Sequence, residues 1–98
     1  MAREDLEFLA LRDTLAQMGV QTRSSEGNYE YFTAFTELDP ETGNPGNGVF
    51  VYGRDGESRF FWGCSLNHHS MDDVSGAARR IRAYVEFLSV LNKIEGTV

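Results

Sequence analysis

Apolar residues fall at helical intervals near both ends of the chain and at strand intervals between them. In residues 3–18, Phe8, Leu11, Leu15 and Met18 recur at steps of three and four, the spacing of one helix face. Glu4, Asp5 and Glu7 suit the positive end of the helix dipole, and Gly19 stands where a helix-ending C′ glycine belongs. Leu6 and Leu9 project about 100–160° from that stripe, so a second side of this helix should also meet apolar surface.

The run from Asn28 to Leu38 is dense in aromatic and β-favouring residues and predicts a long strand. It is apolar on both sides, with Tyr29, Tyr31 and Phe35 opposite Phe32, Ala34 and Leu38. Residues 39–48 hold both prolines and turn-forming residues at nearly every position, so they predict a loop. Val49 to Gly53 and Ser58 to Leu66 flank Arg54-Asp55-Gly56-Glu57, and Asp-Gly between two β-rich runs predicts an antiparallel hairpin. In the last strand Phe60, Trp62, Cys64 and Leu66 fall on one side, expected to face the core, and Arg59, Phe61, Gly63 and Ser65 on the other.

A second helix is expected after Ser70, which fits an N-cap, with Asp72 and Asp73 in the first turn. Val74, Ala77, Ile81, Tyr84, Leu88 and Leu91 alternate steps of three and four, widened by Ala78 and Val85. Ala83, Phe87 and Val90 form another apolar row among Arg79, Arg80, Arg82 and Glu86. The simplest use of that row is contact with Leu6 and Leu9 between the two helices; a homodimer contact through Leu6, Leu9, Ala83, Phe87 and Val90 is the alternative. The predicted fold is α+β, in the order α-β-β-β-α: a three-stranded antiparallel meander with both helices packed on one face. Helices cover only one face, so aromatic rings of the sheet remain for solvent or a partner.

At 98 residues, residues 1–98 are expected to make one domain. With 41% hydrophobic and 12% aromatic residues the chain can build a core without metal or disulfide support. A single cysteine rules out an intrachain disulfide. The acidic opening segment and the lack of a long apolar run point to a cytoplasmic protein without membrane association. Net charge is -6 and the isoelectric point about 4.7, which disfavours direct nucleic-acid binding. The charge is uneven: residues 1–57 carry eleven acids against four bases, residues 58–98 four against five.

Candidate chemistry is sparse. His68 and His69 precede Asp72 and Asp73, but adjacent histidines in an extended segment point to opposite sides and the aspartates suit a helix start, so no metal site is expected. Cys64 alternates with Trp62 and reads as core rather than nucleophile. No phosphate-binding loop, nucleophile elbow or paired-cysteine motif is present, so neither an enzyme nor a cofactor is expected. The α-β-β-β-α order resembles that of double-stranded-RNA-binding domains. In that family the second helix opens on a lysine-rich motif, where this chain has Asp72 and Asp73.

The acids Glu26, Glu30, Glu37, Asp39, Glu41, Asp55 and Glu57 cluster on the first strand and the two turns. Carboxylates along a sheet edge can imitate a phosphate row and dock on a basic nucleic-acid-binding surface of another protein. The expected role is a non-catalytic acidic regulator or inhibitor, with Tyr29, Glu30, Tyr31, Phe35, Glu37, Asp39, Glu41, Asp55 and Glu57 as its contact residues. Size, charge and lack of catalytic motifs resemble phage- or plasmid-encoded inhibitors of host defence, anti-CRISPR proteins among them, and toxin-neutralising immunity proteins. The alternative is a dimeric acidic chaperone or adaptor of the secretion type.

Overall fold

The computed structural model describes residues 3–24, 31–45, 48–54 and 56–96, without the side chains of 3–5, 64, 65 and 92–96. The order is α1 (Arg3–Gln17), β1 (Gln21–Arg23), β2 (Tyr31–Phe35), β3 (Val49–Tyr52), β4 (Arg59–Trp62), β5 (Cys64–Ser70) and α2 (Val74–Gly96). The strands form one antiparallel sheet in sequence order, β1-β2-β3-β4-β5. The fold is therefore α+β, but the meander has five strands rather than three.

The two additional strands are the edges. β1 is a three-residue polar segment, paired through Gln21–Phe35, Thr22–Ala34 and Arg23–Thr33. β5 emerges because the run from Ser58 to Leu66 is not one strand. Gly63, at φ 66°, reverses the chain, and the rest of the run joins β5. The β4–β5 register shifts between Phe61 and Trp62, so the side alternation expected along that run breaks there. Phe60 and Trp62 are buried as expected, whereas Leu66 is 85% exposed.

Both helices lie against one face of the sheet. Their buried stripes, Phe8, Leu11 and Leu15 on α1 and Ala77, Ala78, Ile81 and Val85 on α2, meet Phe32, Ala34, Val49, Val51, Phe60 and Trp62 in a single core. Phe8 sits edge-on to Phe60 at 5.2 Å and to Phe32 at 6.2 Å, an arrangement that adds about 0.5–1.5 kcal/mol per pair to area burial. The α1 C-terminus closes as the sequence predicts. Gly19 is at φ 85°, the Val20 amide donates to the Leu15 carbonyl and the Gly19 amide to that of Ala16.

The start of α2 differs from expectation. The cap is Asp73, not Ser70: its side chain accepts from the Gly76 amide at 3.1 Å and its carbonyl takes the first helical bond from Ala77. The Ser70 hydroxyl instead accepts from the Asp72 amide one turn earlier. At 23 residues α2 rises about 34 Å, against about 23 Å for the seven-residue β5. Leu91, near its end, is 37% exposed rather than buried. The second apolar row is not covered by α1 either: Leu6, Phe87 and Val90 are 55%, 57% and 55% exposed, Ala83 is exposed and Leu9 half-buried. Among the described residues no helix is long and apolar enough to cross a membrane.

Candidate functional site

Strand alternation divides the residues of the sheet between two faces. Phe32, Ala34, Val49, Val51, Phe60 and Trp62 point to the helices, so Tyr31, Thr33, Phe35, Phe50, Tyr52 and Phe61 must point away. The pairs Tyr31–Tyr52, Thr33–Phe50, Tyr52–Phe61 and Phe61–His68 then place rings side by side on the helix-free face. They form a row across four strands: Tyr31 to Phe50 at 5.2 Å, Phe50 to Tyr52 at 5.7 Å, Tyr52 to Phe61 at 5.6 Å and Phe61 to His68 at 5.6 Å.

The central rings are nearly parallel, at 25° for Phe50–Tyr52 and 19° for Tyr52–Phe61, so they cover one another's faces and turn their edges outward. Phe50 is the most open of them, at 47% exposure. Phe61 is buried on the same face because the Arg54 guanidinium lies 4.4 Å from its ring centre. At the far end Arg59 Nε donates to His68 Nδ1 at 2.8 Å; a guanidinium can only donate, so this ring nitrogen is the acceptor.

The expected contact residues divide sharply. Tyr31 is in the row. Phe35 is on the same face but almost wholly buried, with the Arg23 guanidinium 5.6 Å from its ring centre, so it offers little surface to a partner. Tyr29, Glu30 and Asp55, and Glu26 beside them, lie outside the described residues. β2 is an inner strand, flanked by β1 and β3, so the acids that follow it do not run along a sheet edge.

Glu37, Asp39 and Glu41 belong to the loop at one end of the sheet, and Glu57 to the hairpin at the opposite end. Asp39 closes its own turn, accepting from the Glu41 amide at 2.8 Å, while its backbone bonds Gly43 and Asn44. Glu57 lies 4.0 Å from Arg54, with both side chains 46% exposed. The carboxylates thus flank the ring row instead of forming one acidic ridge. Phe50, Tyr52, Phe61 and His68 were missing from the expected set, although the alternation Val49-Phe50-Val51-Tyr52 carries the signal.

A recess lies on the helix side, between β5 and α2. It has a volume of about 320 Å³ and is lined by Trp62, Asn67, Arg80, Ala83, Tyr84 and Phe87. Gly63 forms a tight turn beside it: a Cβ there would lie 2.9 Å from the Tyr84 hydroxyl and 3.3 Å from the Asn67 amide. Arg80 Nη1 donates to the His68 carbonyl at 2.8 Å and lies 3.3 Å from His69 Nδ1, and its guanidinium lies 5.0 Å from the Trp62 ring centre.

His69 and Asp73 form a structural pair at the α2 start. His69 Nε2 is 2.8 Å from Asp73 Oδ2, and with Arg80 beside Nδ1 the proton belongs on Nε2. This bond, followed by that from the Gly76 amide, holds the Asp73 carboxyl below the ordinary carboxylate range. Among the described residues no three of His, Cys, Asp and Glu converge to hold a metal ion, and the side chain of Cys64 lies outside the described residues. Neither a protein-family model, a curated protein nor a solved structure matches this chain.

Proposed function

We propose that this chain is a non-catalytic protein-binding module, a small acidic regulator or inhibitor that acts by occupying a partner's surface with the helix-free face of its sheet. The observation that carries this reading is the aromatic row from Tyr31 to His68, in which Phe50 is 47% exposed. Large rings presented on a rigid sheet bury much area at little entropic cost, which is the chemistry of interface hot spots. Stacked rings offer edges rather than open faces, so the row suits an apolar protein patch better than unstacked bases, which need a ring face to lie on. Carboxylates at the two ends form a rim, and a target with basic groups beside an apolar patch fits that layout. A nucleic-acid-binding surface blocked by an anti-defence or immunity-type protein has this character.

Differential capture tests the reading. The immobilised protein and its Phe50→Asp variant are exposed to lysate of the native host, and the retained proteins are compared. A partner held by the parent should be lost, with binding weakened well over tenfold, while the variant's melting temperature stays close to the parent's. Identical capture by both would remove the sheet face from consideration. Reversing Glu37 and Glu41 to Lys should weaken the same complex and reduce its salt dependence. Asp39 is left intact in that variant because its carboxylate closes a turn.

A second reading, the dimeric acidic chaperone or adaptor, draws on the exposure of Phe87 and Val90 on α2. Light scattering after size exclusion separates the two: a dimer disrupted by Phe87→Asp favours this reading, and a monomer at micromolar concentration counts against it.

A further inference from the structure

The recess between β5 and α2 lies on the opposite side of the sheet from the aromatic row and takes no part in the sheet-face binding proposed above. Its walls combine two kinds of group. Trp62, Tyr84 and Phe87 supply three aromatic rings, while Arg80 is the one charged side chain in the lining among the described residues. The volume of about 320 Å³ lies at the lower end of the range for small-molecule sites, about 300–1,000 Å³. We propose that this recess is a binding site for a small planar aromatic anion, the ring packing between Tyr84 and Phe87 and the carboxylate meeting Arg80.

Three observations carry the proposal. First, the Arg80 guanidinium is already oriented: its Nη1 donates to the His68 carbonyl at 2.8 Å and lies 3.3 Å from His69 Nδ1, and the group lies over the Trp62 ring. A preorganised guanidinium fits a carboxylate with little ordering cost. Second, the local charge has the right sign. Arg79, Arg80 and Arg82 all lie on this stretch of α2, where Glu86 pairs with Arg82 at 3.0 Å and Asp73 with His69 at 2.8 Å. Third, two of its lining side chains, Tyr84 and Asn67, close directly on the glycine turn at residue 63. A Cβ at Gly63 would press on the Tyr84 hydroxyl and the Asn67 amide.

The sequence has one tryptophan, so the indole N–H of Trp62 gives a single assignable NMR signal in the wall of the recess. Phenylacetate, phenylacetamide and benzylamine present the same ring with negative, neutral and positive polar ends. Titrating each into the full chain should give a saturable shift of the Trp62 signal with phenylacetate, at least tenfold weaker binding of the amide and none of the amine. Phe87→Ala, at a position 57% exposed, should weaken phenylacetate binding without disturbing the fold. Arg80→Gln should erase the preference for the acid over the amide. Equal shifts with acid and amide, no shift with any probe, or phenylacetate binding unaltered by Phe87→Ala would each overturn the proposal.

Discussion

Gly76 sits inside the first turn of α2, where glycine costs about 1 kcal/mol relative to alanine. On propensity alone Gly76→Ala would stabilise the protein. The structure predicts the opposite sign, because a Cβ would lie 2.7 Å from His69 Nε2 and closer still to Asp73 Oδ2, displacing the pair that caps the helix. Thermal unfolding checks this: Gly76→Ala should melt below the parent. Asp73 makes a related prediction with a pH signature. Its folded-state pKa is lowered from 3.8, so its contribution to stability is present above about pH 4 and lost as pH falls through the lower folded value. Asp73→Asn should lower the melting temperature at pH 7, and the gap to the parent should narrow on acidification below pH 4. The cap itself was only partly legible in the sequence. Ser70, Asp72 and Asp73 are all good capping residues, and what selects Asp73 is β5 continuing to Ser70, a tertiary fact.

At the scale of elements, the sequence announced the parts that bury most apolar surface. The α1 stripe and its glycine stop, strand β3 and most of the α2 seam stand where periodicity puts them, and the expected strand over residues 28–38 survives as β2. The two strands it concealed are both edges. An edge strand has one neighbour and few buried side chains, so Gln21-Thr22-Arg23 and the polar second half of β5 carry little hydrophobic signal. The β4–β5 reversal was hidden by a single glycine inside an aromatic run, where a turn is usually marked by two or more breakers. Gly63→Ala should therefore be costly: a left-handed backbone and contacts with Tyr84 and Asn67 together predict a loss of about 1–3 kcal/mol in denaturant unfolding. Phe8 joins α1 to the sheet, and Phe8→Ala should cost about 3–5 kcal/mol.

Across the whole molecule, the sheet separates two surfaces of different character, a row of rings on one side and a cationic recess on the other. The two meet at His68, whose ring ends the row and whose carbonyl accepts from Arg80, so substitutions away from it, at Phe50 and at Phe87, should act independently. Phe50→Asp should leave the phenylacetate response of Trp62 intact, and Phe87→Ala should leave capture through the sheet face intact. Crossed effects in either experiment would mean that the two faces share a conformational change. The candidate site was legible only as a surplus of aromatic residues. Which rings stand side by side depends on register, and register is set by pairings between segments distant in sequence. The acids misled for the same reason: the meander carries Glu37, Asp39 and Glu41 to one end of the sheet and Glu57 to the other.

The hold of α1 on β1 has a further consequence. Arg12 donates to Thr22 Oγ1 at 2.9 Å and to Ser24 Oγ at 3.0 Å, and its guanidinium lies 5.7 Å from the Phe32 ring centre. Three residues of ladder are a weak fastening by themselves, and β2 behind them is aromatic with few charges, a sequence suited to amyloid-like stacking if uncovered. By holding β1 over β2, the arginine is expected to oppose self-association as well as to stabilise the monomer. Arg12→Ala should shed β1 first, visible as faster amide exchange at Phe35 and Thr33, and on standing at high concentration should form thioflavin-positive fibrils that the parent resists.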